Sequence, residues 1–250
     1  MKVSLITVVY NNKHFIEDSI RSVLIQNYSN IEYIIIDGGS TDGTLNIINK
    51  YKSHIDIIVS ESDNGIYDAM NKGILKSSGD IIGFLNSDDF FTSSNIVSDI
   101  INIFDTNDIS IVYANVSYVK KYDTNVILRN WISKKYHKNY FELGNVPAHP
   151  TFYVKKKIYI ENEMFDTNLK FAADYDLMFR FLKIKNYPSF YYNQRIIKMR
   201  IGGATSKNIK NIIKQNIEIY NIWKMNSVSM PFYTFPLKLI NKLKQYYVQI

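Results

Sequence analysis

Over the first 92 residues, four short β-branched runs alternate with stretches of helical period. Val3 to Val9 (Val-Ser-Leu-Ile-Thr-Val-Val), Ile31 to Ile36, Ile55 to Ser60 and Ile81 to Leu85 have the length and composition of buried strands. Residues 13–27 place Ile16, Ile20, Val23 and Leu24 on one helical face. A second helix carries Leu45, Ile47 and Ile48, with Ser40 or Thr41 as its expected cap. Residues 66–77 supply a third. Strands apolar on both faces, joined by amphipathic helices through short links, predict a doubly wound, mostly parallel sheet. Ligands in such sheets sit beyond the carboxyl ends of the strands. Three strands end there in polar clusters, Thr7 to Asn12, Asp37 to Thr44 and Asn86 to Asp89, so these clusters are expected to share one rim.

The fourth strand ends in two adjacent carboxylates, Asp88 and Asp89. Neighbouring like charges repel, and burying either one unpaired is costly. A hard cation such as Mg²⁺ or Mn²⁺ relieves both problems and in turn holds a diphosphate. Asn-Ser-Asp-Asp is equally good turn and capping chemistry, and both readings stand on these residues alone. Asp37 can accept from a base or ribose, or close a turn. The chain has no Gly-x-Gly-x-x-Gly and no Gly-x-x-x-x-Gly-Lys-Ser/Thr, so ordinary dinucleotide and P-loop sites are not expected.

With 46% hydrophobic residues, the 250-residue chain can bury a full core, as one large domain or two small ones. Its apolar stretches fall well short of the roughly 20 residues a membrane-crossing helix needs. The N-terminus enters a strand directly, so no signal peptide is expected. The absence of cysteine excludes disulfides and thiolate metal sites and permits a cytoplasmic location. A net charge of +7 points to an anionic partner, although an AT-rich genome favours the same Lys-rich composition. The positive charge is dispersed and no recognition motif is present, so nucleic acid is not an expected partner.

Beyond residue 92 the rhythm changes. A helix is expected over 93–105, then β-structure over Ile109 to Val119 and Asn125 to Arg129. Residues 131–148 show no clear period and fit either an acceptor-facing region or a plain loop. Ala148 to Tyr153 reads as a strand, and Lys155 to Lys157 as a solvated turn. Leu177, Phe181 and Ile184 have helical spacing, which puts Asp174 at a helix start, as a capping residue or as a general base. Asp176 and Arg180 form an i,i+4 pair. Ser189 to Lys198 is another strand. Met199 to Ser206 forms a loop with one cation, either a linker or a flap over a phosphate. A helix follows over 207–225. In the last segment Leu239, Ile240, Leu243, Tyr246 and Tyr247 oppose Lys238 and Lys242. Such a helix can lie on an anionic membrane or dock on its own domain.

Taken together, Val3 to Asn11, Ile36 to Thr44, Asp63 to Gly73 and Leu85 to Asp89 resemble, in order, the family 2 glycosyltransferases of the GT-A fold. Within these the chain is similar to bacterial enzymes of capsule, O-antigen and exopolysaccharide assembly. The match resumes at His149 to Phe152 and at Ala172 to Arg180. The resemblance implies a Rossmann-like, mostly parallel central sheet flanked by helices. It also implies a nucleotide-sugar half over about 1–92, an acceptor half over about 93–206, and a C-terminal helical extension over 207–250. It implies inverting, metal-dependent transfer from a nucleotide sugar, UDP first among carriers, to a glycan or lipid-linked acceptor. Carried over, Thr7, Val9, Tyr10, Asp37, Lys72, Asn86 and Ser87 would contact the nucleotide. Asp88 would hold Mg²⁺ or Mn²⁺, and Asp174 would be the catalytic base. Asp89, His149 and Arg200 would be diphosphate or acceptor contacts. Three positions depart from the family pattern. Gly38 stands where many relatives have a second Asp, Asn86 replaces the first Asp of the metal motif, and Ala173 stands where Glu often precedes the base. A sugar nucleotidyltransferase would show a glycine-rich N-terminal loop, which Tyr10-Asn11-Asn12-Lys13 is not. A degenerate nucleotide- or glycan-binding module is the remaining alternative.

Overall fold

The first strand, β1 (Val3–Val9), is buried along its whole length, and its side chains divide strictly by parity. Val3, Leu5 and Val9 enter one core cluster and Ile6 and Val8 the other, as the two-residue period of a strand requires. The neighbouring β2 (Ile31–Asp37) repeats the division, with Tyr33 and Ile35 on one face and Ile34 and Ile36 on the other. Each such buried aliphatic side chain contributes roughly 1.5–3 kcal/mol. Helices α1 (Ile16–Leu24) and α2 (Thr44–Lys50) cover one face, and α3 (Ile66–Lys76) covers the other. Together with β3 (Ile57–Ser60) and β4 (Ile81–Phe84), they complete the predicted βαβ series, with β3, β2, β1 and β4 all parallel.

The computed structural model describes residues 1–202 and 209–246. Residues 203–206 of the expected flap and Tyr247 of the last helix lie outside them. Past β4 the sheet continues with antiparallel pairings. A two-residue strand β5 (Phe90–Phe91) pairs with the long β9 (Ser189–Arg200). Helix α4 (Ile96–Thr106) leads to β6 (Ile111–Val119), which runs parallel to β9. On its other edge β6 pairs first with β8 (Tyr153–Lys155) and then with β7 (Ile127–Trp131). The described strands form one sheet in the order β3-β2-β1-β4-β8-β6-β9-β5, with β7 beside β6. The join at β4–β8 is tight. A Cβ on Gly83 would lie 2.2 Å from the Tyr153 ring, so only glycine lets that ring cross the strand.

Several local expectations are corrected. The first residue of α2 is capped by Asp42, whose Oδ1 accepts from the Thr44 N–H (2.9 Å), and not by Ser40 or Thr41. The Ala148–Tyr153 stretch is a 3₁₀ turn over His149–Thr151 before the short β8, because Pro150 has no N–H for a ladder. Lys155 to Lys157 is the β8–α5 junction instead of a free turn, and Lys156 starts α5 (Lys156–Glu161) and donates to the Ser77 carbonyl. Asp174 lies in the first turn of α6 (Ala173–Phe179) without capping it through its side chain. The Asp176–Arg180 pair forms at 2.7 Å.

Helices α7 (Ile209–Met225) and α8 (Thr234–Lys244) pack on the C-terminal half. α7 puts Ile219, Ile222 and Trp223 into the core, and the Trp223 Nε1 donates to the Tyr175 hydroxyl (2.8 Å). α8 is held through Thr234 Oγ1 to the Glu142 carbonyl and Asn241 Nδ2 to the Leu143 carbonyl. Its backbone crosses Gly144 so closely that a Cβ there would sit 2.3 Å from the Lys238 nitrogen. No helix among the described residues is long and apolar enough to cross a membrane.

Candidate active site

The three polar strand ends do converge. Asn11, held at φ 50°, receives the Thr41 N–H on its side chain and gives its own N–H to Ser40 Oγ (2.8 Å). Asn12 bonds Thr44 through its backbone and donates from Nδ2 to Ser87 Oγ (2.8 Å). These bonds tie the ends of β1, β2 and β4 into one rim, above which opens a cleft of about 1170 Å³. It is lined by Val9, Tyr10, Asp63, Tyr67, Asn86, Ser87 and Asp88, by Arg129, Trp131 and residues 144–146, by His149 and Asp174, and by residues of α7 and α8.

The rim carries an excess of buried negative charge. Burial pushes the Asp88 carboxyl above the ordinary aspartate range. Asp89 is pushed much further, by burial first and then by the charge of Asp88. Asp89 is fully buried and takes no part in lining the cleft. Its Oδ2 accepts from Asn86 Nδ2 (2.9 Å), and its Oδ1 has no partner. The neutral amide at position 86 therefore answers a buried carboxylate, where a third acid would add repulsion. Arg200 is committed as well. Its Nη1 donates to the Asp88 carbonyl (2.7 Å), Nη2 pairs with Asp18, and Nε reaches the Lys121 carbonyl. It fixes the backbone of Asp88 more than it offers a free cation.

The Tyr67 hydroxyl donates to Asp174 Oδ1 (3.2 Å). Burial, and then the Asp174 charge, push the Tyr67 phenol well above its usual range, so it remains a donor. His149 stacks near Phe84 and meets Phe165 edge-on. Burial lowers its pKa and favours the neutral ring, whose Nε2 is buried without a partner at the cleft wall. That orphan nitrogen suits a ligand hydrogen bond.

Other expected nucleotide contacts sit behind the wall. Thr7 is fully buried and shares a hydrogen bond with the Tyr33 hydroxyl. Asp37 is fully buried and accepts from the Ser40 N–H and from Ser60 Oγ (2.6 Å). Lys72 pairs with Glu61 (2.9 Å) and Asp68. The gap at Gly38 is filled from elsewhere, since a Cβ there would meet the Asp63 Oδ2 at 2.4 Å. A carboxylate from the next loop thus occupies the space a side chain at 38 would take. Sequence reasoning did not single out Asp63, Tyr67 or Arg129. Their signals are tertiary; beforehand Asp63 and Tyr67 appeared only inside the Asp63 to Gly73 motif.

Among the described residues, no group of three or more His, Asp or Glu side chains is placed to hold a metal ion. Mg²⁺ ordinarily keeps several waters and is held through one or two carboxylates plus substrate phosphates. Asp88, the one carboxylate of the Asn86–Asp89 cluster on the cleft wall, fits a cation that arrives with a diphosphate; it does not make a closed protein cage.

Comparison with known proteins bears on the family and the fold. The model of the glycosyl transferase family 2 matches residues 4–169. The Escherichia coli UDP-Glc:alpha-D-GlcNAc-diphosphoundecaprenol beta-1,3-glucosyltransferase WfaP is 39% identical over 120 residues, covering 48% of this chain and 47% of that protein. Among solved structures, Staphylococcus aureus TarS 1–349 in complex with UDP superposes with a TM-score of 0.64 at 19% identity, over 88% of this chain and 66% of that one. The Pyrobaculum calidifontis mannosyltransferase PcManGT, in complex with GDP-Man and Mn²⁺, gives 0.65 at 13% identity, over 100% and 76%. The fold is thus the GT-A arrangement. The chain spans about two thirds of the length of the first curated relatives it matches.

Proposed function

The chain belongs to glycosyltransferase family 2, and from that premise we propose that it is an inverting transferase that moves a sugar from a nucleoside-diphosphate sugar to an acceptor hydroxyl. UDP-sugars are the first candidates as donors. The acceptor is a glycan or lipid-linked glycan of a surface polysaccharide. The observation that carries this reading is that Asp88 and Asp174, distant in the chain, both line one cleft.

Val9 and Tyr10 border the base, with Thr7 and Asp37 as the buried floor behind them. Lys72 holds the turn of residues 61–65, which presents Asp63 to the nucleoside. Asn86 and Ser87 flank the diphosphate. Asp174 takes the proton from the acceptor hydroxyl as its oxygen attacks the anomeric carbon. Inversion needs that base on the face opposite the leaving group. Tyr67 keeps the Asp174 carboxylate aimed by donating to one of its oxygens, and the unpartnered Nε2 of His149 steadies a sugar or phosphate oxygen. Mg²⁺ or Mn²⁺ held by Asp88 would neutralise charge on the departing diphosphate. The UDP complex of TarS and the GDP-Man and Mn²⁺ complex of PcManGT support a nucleotide donor and a metal on this fold.

Calorimetry with UDP, GDP and dTDP, each with and without Mn²⁺, tests the proposal on the wild type and on Asp88→Ala. Metal-dependent binding of one nucleotide, lost in the variant, is the expected result. A folded wild type that binds none of the three would overturn it.

A further inference from the structure

The C-terminal helix packs Phe235 against the core but leaves three other apolar residues outward: Leu239 is 59% exposed, Ile240 45% and Leu243 53%. Its lysines 238, 242 and 244 line the cleft. A helix that turns apolar side chains to water and cations toward its own domain gains little from docking alone, so each side needs its own account.

The cations are uncompensated. Among the described residues no carboxylate bonds Lys238, Lys242 or Lys244. Lys238 Nζ reaches only the Asn216 amide oxygen (3.3 Å) and lies 6.0 Å from the centre of the Tyr175 ring. Burial lowers its amine to about 8, against the pull of the Asp174 charge. Lys242 is lowered by burial and then by the charge of Arg129. Lys238 is half-buried while Lys242 and Lys244 remain exposed, and like charges gathered in one cleft repel one another unless an anion joins them. The Arg129 guanidinium, stacked 3.7 Å from the Tyr118 ring centre and bonded to Gln245 Oε1 (2.7 Å), fixes the last turn of α8 in this position.

We propose that α8 is the acceptor-phosphate subsite: Lys238, Lys242 and Lys244 bind the diphosphate of a lipid-linked acceptor, and its hydrocarbon runs over Leu239, Ile240 and Leu243. This rests on the transferase reading for its location, because the same cleft holds Asp174. A lipid diphosphate accounts for both sides of the helix at once. Its head needs cations inside the cleft and its tail needs an apolar surface outside. A protein partner would cover the outer face and leave the inward lysines unexplained. The substrate that names WfaP, a sugar on diphosphoundecaprenol, has this chemistry in that relative.

The experiment is calorimetry on the full chain saturated with UDP and Mn²⁺, using farnesyl diphosphate, farnesol and inorganic diphosphate as probes. Farnesyl diphosphate is expected to bind more tightly than either fragment. Lys238→Met/Lys242→Met should weaken it by about tenfold or more, as loss of charge-assisted contacts does. Leu239→Ser/Leu243→Ser should bring it to the affinity of inorganic diphosphate, with UDP affinity retained in both variants. Equal binding by both variants and the wild type would overturn the subsite. So would displacement of farnesyl diphosphate by UDP, which would place it in the donor site. A stable dimer in sedimentation that Leu239→Ser/Leu243→Ser dissociates would assign the outer face to a second copy instead. UDP binding is read separately, so its failure alone sinks the donor reading, and failure of farnesyl diphosphate alone sinks this one.

Discussion

Glu32 and Asp89 are both buried carboxylates of the same sheet, near its opposite ends, and their surroundings differ completely. Glu32, at the start of β2, accepts from Lys2 Nζ (2.8 Å), Ser4 Oγ (2.5 Å), the Ser78 N–H (2.7 Å) and Ser78 Oγ. Burial alone would raise its pKa, but these donors outweigh it and pull the group down to about 2. Asp89, just past β4, has one side-chain donor and an oxygen with no partner, and it is pushed upward. Satisfied charge at the amino ends of the strands holds the sheet together. Unsatisfied charge at the carboxyl ends lies beside the cleft, where the proposed ligand would bind.

The largest test of that contrast is Asp174→Asn. If the carboxyl-end groups serve chemistry and not folding, transfer should fall by about 10²- to 10⁴-fold, the share expected of a general base. Nucleotide affinity and melting temperature should stay near wild type. Initial rates, calorimetry and thermal melts on one preparation check all three, and lost nucleotide binding in a folded variant would remove Asp174 from this role.

Next in size is Glu32→Gln. It leaves Lys2 without its ion pair and weakens three hydrogen bonds, at a cost of about 2 kcal/mol in unfolding free energy. The pH dependence has a definite sign. Because folding depresses the Glu32 pKa, its contribution is complete above the ordinary glutamate range and is lost as pH falls toward about 2. Urea unfolding at pH 6 and pH 3 should show the two proteins converging at the lower pH. A constant gap would mean that packing, and not charge, sets the loss.

How much of this was legible in the sequence follows the same division. The βαβ series through residue 92 was readable because each element declares itself locally, by period and by its polar ending. Asp88 and Asp174 were singled out through motif resemblance, and both line the cleft. The later strands were found only approximately, since β6 takes three partners, two of them distant in the chain, and β8 is three residues long behind a proline. Tyr67 was visible only as part of a motif, because its link to Asp174 spans 107 positions. The same holds for the carboxylate at Gly38, which Asp63 brings from the following loop. The orientation of α8 was left open because its pattern fits either docking. Only the close crossing at Gly144 and the bonds to Glu142 and Leu143 decide it.

Tyr67→Phe sharpens the contrast inside the cleft. The ring keeps its stacking on Phe165 (centroids 5.7 Å apart), so the fold should be unaffected. Only the donor to Asp174 goes. The turnover rate should fall about tenfold, the worth of one hydrogen bond to a charged group. The donor KM should stay unchanged. A rate unchanged across the pH range would show the tyrosine to be packing alone.

The smallest effect is the one that separates the two ends most directly. Asp89→Asn keeps shape and removes charge where charge is least satisfied, so stability at neutral pH in chelator should rise, by up to about 1 kcal/mol. The gain is limited because the side chain still buries one polar atom without a partner. The sign with pH is the reverse of Glu32. Folding raises the Asp89 pKa, so the wild type is most stable where the group is protonated and loses stability as pH rises through the folded value. The variant should lack that decline. Melting curves from pH 4 to pH 8 compare the two slopes, and a variant less stable than wild type throughout would mean that the Asn86–Asp89 bond stabilises the rim more than the buried charge strains it.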